Sequence, residues 1–269
     1  MAEERKKLTI PDLAAKKAAG ERLVMVAIGE VLSAAWAERA GVDIVGIGDS
    51  LGMTLYGHEN TLAVTVDQMI HHTRAVRRGA PNTFSLMAMP YGSYATKDLA
   101  VQNAVKIMKE SGVDAVKLQG GREIFDIIKA VADAGVPVMS HVGLVPHHVH
   151  KHGGFKMQGR TAEDALKIID NAKAIEEAGA IGLEIEAVPY EVGKAVDDAV
   201  SDDEPGAADR ALDAFYAEQD AADRAREARF DCETVLTTLS TLDNRPSVIG
   251  AAPPPRAPPP SRAALRAER

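Results

Sequence analysis

Cysteine is nearly absent from this chain: Cys232 stands alone among 269 residues. One thiol cannot form an internal disulfide, which excludes a disulfide-stapled scaffold and suits a reducing compartment. A surplus of basic charge is also missing. The formal net charge is −8, and no lysine- or arginine-rich stripe offers an electrostatic footprint for nucleic acid. No apolar run approaches the ~18 residues of a membrane-spanning helix. The opening "MAEERKK" lacks the apolar core of a secretory signal. The expectation is a cytoplasmic protein with neither a nucleic-acid nor a membrane partner.

What is present is ordinary globular composition, 46% hydrophobic and 26% charged, in a chain long enough for a sizeable core. Up to about residue 200 it alternates between two textures. Short, near-continuous apolar runs stand at "LVMVAIG" (23–29), "VDIVGIGD" (42–49), "FSLMAMP" (84–90), "DAVKLQG" (114–120), "VPVMSHVG" (136–143) and "AIGLEIEAVP" (180–189). Such runs fit strands covered on both faces. Between them lie segments with apolar residues at helical spacing, several ending in Gly. Repeated βα units imply a parallel sheet with right-handed crossovers. Six such units, with a helix-like leader at 11–19, favour an α/β fold of the (β/α)8 TIM-barrel type over a doubly wound sheet. No dinucleotide-binding glycine pattern follows the first strand.

The domain reading is a barrel body over 1–200, an atypical segment over 201–251, and a Pro/Arg/Ala-rich tail over 252–269. The middle segment is Ala/Asp/Arg-rich, a composition that an out-of-frame reading of GC-rich DNA would also yield. It offers "TVLTTLST" (234–241) and "PSVIGA" (246–251) as weak candidates for strands seven and eight. The tail is expected to be extended or disordered.

In a barrel the active site sits at the C-terminal strand ends. The polar residues collected there are Asp49 and Ser50 after the second strand, Lys117 and Gln119 on the fourth, His141 on the fifth and Glu186 on the sixth. An ionisable group in an apolar run is costly unless it is paired or functional. Lys117 is either a fixed positive charge for an anionic substrate, a Schiff-base amine, or a strand-end lysine that reaches solvent. Glu186 is suited to acid or base work, with Glu184 on the same face, and one of the two can be hydrogen-bonded structure. His141 orients substrate or satisfies the core. "PHHVHKHGGFKMQGR" (146–160) carries His147, His148, His150 and His152 at no standard zinc spacing, and reads as an exposed, mobile, lid-like loop.

The stretch "GDSLGMTLYGHENTLAVTVDQMIHHTRAVRRGAPN" (48–82), followed in order by "YATKD", "AVKLQGG", "SHVGLVP", "GGFKMQGR" and "EAVP", resembles the ketopantoate hydroxymethyltransferase family. These are barrel enzymes of the phosphoenolpyruvate mutase/isocitrate lyase superfamily. The resemblance covers roughly residues 10–200. It implies hydroxymethyl transfer from 5,10-methylenetetrahydrofolate to 3-methyl-2-oxobutanoate, dependence on Mg²⁺, and a homo-oligomer that is typically decameric in the family. It carries metal binding onto Asp49, substrate contacts onto Asp49, Ser50, Lys117 and His141, and the catalytic acid/base onto Glu186. Two positions depart from the pattern. Ala88 stands where the family has a metal-ligating Asp, and Gln119 where it has a Glu. Three readings follow: the family's own reaction, another enolate reaction (aldol or lyase) on a related 2-oxo acid, or a non-catalytic member.

Overall fold

The computed structural model describes residues 5–201. Helix α1 (Ile10–Ala18) leads into β1 (Met25–Ala27), α2 (Val31–Arg39), β2 (Ile44–Ile47), α3 (Leu51–Thr54), α4 (Val66–Gly79) and β3 (Phe84–Ala88). Then come α5 (Lys97–Ser111), β4 (Ala115–Gln119), α6 (Phe125–Asp133), β5 (Val138–Gly143), α7 (Val149–His152), α8 (Ala162–Glu177), β6 (Gly182–Glu186) and α9 (Tyr190–Ser201). The six strands are all parallel and pair in chain order. This is the α/β architecture expected from the six apolar runs. The candidate strands at 234–241 and 246–251, and the tail at 252–269, lie outside the described residues.

Local chemistry explains where the helices begin. Thr9, Thr65, Thr96 and Thr161 each cap a helix, the hydroxyl accepting from a backbone N–H three residues on. Asp12 and Gln68 reach back to complete capping boxes. Helix α5 ends at Gly112, whose φ of 70° is the left-handed conformation glycine takes without strain.

The strand register divides the sheet into two faces. One carries Val45, Met87, Val116, Leu118, Val138 and Val142, buried with apolar residues of α4, α5, α6 and α8 in the main core. The other carries Ile44, Phe84, Leu86 and Ala115 at the strand starts, a smaller cluster against which Ile10, Leu13 and Met139 pack. Helix α1 thus covers the N-terminal end of this second face. Two aspartates tie that end together. Asp43 accepts from the Val24 N–H at 2.8 Å and pairs with Lys16 at 3.1 Å. Asp114 accepts from the Ser85 N–H at 2.8 Å and the Ser85 hydroxyl at 2.7 Å, and pairs with Lys7 at 2.6 Å.

The expectation that every strand is covered on both faces fails at the two edges. Met25 of β1 is 37% exposed and β6 is half-buried throughout, because among the described residues neither has a second neighbouring strand.

Phe84 fills the small cluster on the α1 side and is 2% exposed. Phe84→Ala should therefore lower stability by about 3–5 kcal/mol, read as a reduced urea midpoint with an unchanged slope.

Candidate active site

The second face changes character along its length. Ala88 pairs with Lys117, Gln119 with His141, His141 with Glu184, and Gly143 with Glu186. Alternation along each strand keeps Ala88, Lys117, Gln119, His141, Glu184 and Glu186 on the face that α1 covers at its other end. The apolar start and polar finish belong to one surface.

Two groups of side chains meet there. The first surrounds Asp49, which follows β2 and is only 3% exposed. His147 Nε2–H donates to Asp49 Oδ2 at 2.5 Å, and Gln119 Nε2–H donates to Oδ1 at 3.3 Å. The His147 N–H donates to Gln119 Oε1 at 3.4 Å. The remaining imidazole nitrogen, Nδ1, lies 2.7 Å from Tyr94 Oη, which also accepts from the Gln119 N–H at 3.2 Å. Burial pushes the Tyr94 phenol well above its ordinary pKa, so it stays protonated.

In the second group, Lys117 forms an ion pair and hydrogen bond with Glu184. Burial pushes the Glu184 carboxyl up, but the charges of Lys117 and His141 and the hydrogen bond from Lys117 outweigh it, leaving the group below its ordinary 4.5. His141 is 1% exposed. Its Nε2 lies 3.1 Å from Glu186 Oε2, yet neither ring nitrogen has a hydrogen-bond partner of proper alignment. Glu186 is the most open member, with a side chain 34% exposed.

Backbone geometry holds Glu186 in place. Gly143 has φ 84°, and a Cβ there would stand 2.3 Å from the Glu186 carbonyl oxygen. That carbonyl accepts from the Leu144 N–H at 2.8 Å. The next residue, Ala187, has φ 48°, the sole non-glycine in the left-handed region among the described residues, a conformation that costs energy and tends to cluster at functional sites.

Asp49, Lys117, His141 and Glu186 all come to this end of the sheet, as their strand positions implied. Ser50 does not join them: it is exposed at the start of α3, and no hydrogen bond links its hydroxyl to the others. Ala88, 1% exposed, adjoins Lys117 with no donor atom to offer. The histidine loop needs correction. Pro146–His148 form a 3-10 turn running into α7, and His147 and Val149 are buried. His147 is turned inward by its bonds to Asp49 and Tyr94, whereas His150 stays exposed. Tyr94 was not foreseen, since nothing in "YGSYATKD" marks one tyrosine as inward. Of the two glutamates on β6, Glu184 takes the structural pairing.

Comparison with known proteins shows the family. A family model described as ketopantoate hydroxymethyltransferase matches residues 7–202. The chain belongs to the ketopantoate hydroxymethyltransferase family. It is 51% identical over 189 residues to 3-methyl-2-oxobutanoate hydroxymethyltransferase 1 of Methylibium petroleiphilum, covering 70% of this chain and 64% of that protein. It is 54% identical over 181 residues to 3-methyl-2-oxobutanoate hydroxymethyltransferase of Geobacillus kaustophilus, covering 67% of this chain and 65% of that protein. The chain thus spans slightly less than two thirds of the length of these relatives. Phosphonopyruvate hydrolase shares the fold, with a TM-score of 0.55 at 14% identity over 85% of this chain and 93% of that one. So does 2,3-dimethylmalate lyase, a phosphoenolpyruvate mutase/isocitrate lyase superfamily member, with a TM-score of 0.53 at 14% identity over 86% and 94%.

The family resemblance implies Mg²⁺ at Asp49, and the residues there do not fit it. Mg²⁺ asks for an octahedron of oxygens with carboxylate charge. Here Ala88 contributes nothing, Gln119 turns its amide N–H toward Asp49, and a histidine takes the other carboxylate oxygen. Among the described residues, the group with metal-ligand spacing is His141, Glu184 and Glu186, whose ligand atoms lie within 4.8 Å of one another. The cation already held there is the Lys117 ammonium. No helix among the described residues is long and apolar enough to cross a membrane.

Gly143→Ala should strain the backbone by roughly 1–3 kcal/mol and displace Glu186, so both the melting temperature and any turnover should fall. The Lys117–Glu184 pair sets a pH dependence. A carboxyl held below 4.5 in the folded state stabilises the fold above that pH, and the contribution is lost as pH falls through the depressed value. Melting temperatures measured down an acid series should drop less steeply for Glu184→Gln than for the unaltered protein.

Proposed function

We propose that this site forms the enolate of a small 2-oxo acid, and that the acid is 3-methyl-2-oxobutanoate, hydroxymethylated with 5,10-methylenetetrahydrofolate as the one-carbon donor. The observation that carries this reading is His141, buried with both ring nitrogens unpartnered, between the Lys117–Glu184 pair and Glu186. A buried polar group without a partner is costly, and a keto acid entering beside it would supply the missing acceptor.

The chemistry follows from the neighbours. Lys117 attracts the carboxylate and the keto oxygen. Glu186, the most exposed carboxylate of the group, accepts the C3 proton as a general base. The charge that moves onto the keto oxygen meets the Lys117 ammonium and a His141 N–H, fixed donors in a partly desolvated site. C3 then bonds to the one-carbon unit while water replaces the two folate nitrogens on that carbon. Both carbon–nitrogen bonds break, the water oxygen becomes the new hydroxyl, and one proton from water and the one taken from C3 go to the nitrogens, releasing tetrahydrofolate. The names of the relatives support this choice of substrate. No step is routed through Mg²⁺, whose donors at Asp49 do not fit.

A second reading keeps the same residues and changes the partner of the enolate: an aldol or lyase reaction on a related 2-oxo acid. Ala88 and Gln119 favour it, because both depart from the family pattern. A homo-oligomer and a cytoplasmic setting belong to either reading.

Proton exchange tests the enolate step without requiring the one-carbon donor. In D₂O the protein should wash out the C3–H signal of 3-methyl-2-oxobutanoate in NMR spectra. Glu186→Gln should slow this by about 10²–10⁴-fold while leaving keto-acid affinity nearly unchanged. A folded protein that exchanges no faster than buffer would overturn the reading.

A further inference from the structure

Asp49 stands where the family resemblance places a metal ligand, yet its surroundings are those of a carboxylate that needs no cation. Both oxygens are engaged by N–H donors, from His147 at 2.5 Å and Gln119 at 3.3 Å. A buried carboxylate is tolerated when it is paired and hydrogen-bonded, and Asp49 already has both.

The identity of residue 119 decides between a metal site and a closed one. Gln119 works at both ends: Nε2–H donates to Asp49 while Oε1 accepts from the His147 N–H. A glutamate could do only half of this. Its carboxylate would accept from His147 but would set a second negative charge about as close to Asp49 as the amide nitrogen now stands, an arrangement that calls for a cation between the two. The amide removes the repulsion and supplies a donor.

Ala88 removes a further carboxylate from the same end of the sheet. His147 then brings a donor of its own, held by the contact between Nδ1 and Tyr94 and by the rings of Tyr91 and Tyr94, with centroids 5.7 and 5.9 Å from the imidazole. Three positions, 88, 119 and 147, agree on one outcome.

We propose that Asp49 in this chain is a cation-free clamp. Through His147 and Gln119 it ties the segment after β5 to the ends of β2 and β4, and the site needs no divalent cation because Lys117 and His141 meet the enolate charge. His147 is a positioning residue in this scheme, since both its ring nitrogens are used within the clamp. The catalytic half of the proposal rests on the 2-oxo acid reading above, whereas the clamp stands on its own geometry.

Two measurements on the full chain, stripped with EDTA and desalted, separate those halves. Mn²⁺, a spectroscopic stand-in for Mg²⁺, is titrated into the protein and free ion followed by electron paramagnetic resonance. The expected result is no saturable binding that depends on Asp49, so that Asp49→Asn leaves the titration unchanged. The triple variant Ala88→Asp, Gln119→Glu, His147→Gln should gain affinity of at least about tenfold, because it restores oxygen donors and charge, and Asp49→Asn should abolish that gain. Saturable Mn²⁺ binding by the unaltered protein that disappears in folded Asp49→Asn would overturn the clamp.

The second measurement is C3–H exchange of 3-methyl-2-oxobutanoate with EDTA and with Mg²⁺. Rates within about twofold of each other are expected when the metal supplies no Lewis-acid stabilisation. Exchange that appears only with the divalent ion would overturn cation independence. Exchange absent in both conditions would count against the substrate reading, and the Mn²⁺ titration would still decide the clamp.

Discussion

A carboxylate that is 3% exposed must be compensated, and the way Asp49 is compensated shapes this whole end of the molecule. Leaving a buried charge unpaired costs several kcal/mol, so the side chains around it are under strong constraint. His147 and Gln119 answer that constraint from two different strand ends, and Tyr94 answers for His147 from a third. The loops after β3 and β5 are therefore tied to each other through His147, beside one acidic residue that follows β2.

The sheet makes this convergence possible. Parallel pairing in chain order brings every strand to the same end, and the two-residue period lets one face be apolar at its start and ionic at its finish. Ile44, Phe84, Leu86 and Ala115 close the start against α1. At the finish, Lys117 pairs with Glu184, whose carboxylate also lies near His141 and Glu186. Glycine is required where Gly143 lets the Glu186 carbonyl approach too closely for any Cβ. That single contact couples the fold of β5 and β6 to the position of the proposed base.

Much of this was legible in the residues. The six apolar runs each became a strand, trimmed at the ends where chain geometry outweighs apolar character. Asp49, Lys117, His141 and Glu186 could be collected because an ionisable residue breaking an apolar run is conspicuous. His147 could not, since it sits in a polar, glycine-bearing stretch whose composition reads as exposed, and only the tertiary contact with Asp49 draws it inward. Tyr94 is hidden for the same reason. The distinction between Glu184 and Glu186 lies beyond pattern altogether, because both occupy the same face and their roles separate only once Lys117 chooses a partner.

A crystal structure of the protein with 3-methyl-2-oxobutanoate, grown with excess Mn²⁺ and measured for manganese anomalous scattering, would test the central claim most directly. The account predicts a keto acid lying against Lys117 and His141, with no anomalous peak within coordination distance of Asp49 and the His147–Asp49 bond intact. A manganese peak bridging Asp49 and the keto-acid oxygens, with His147 swung away, would contradict it.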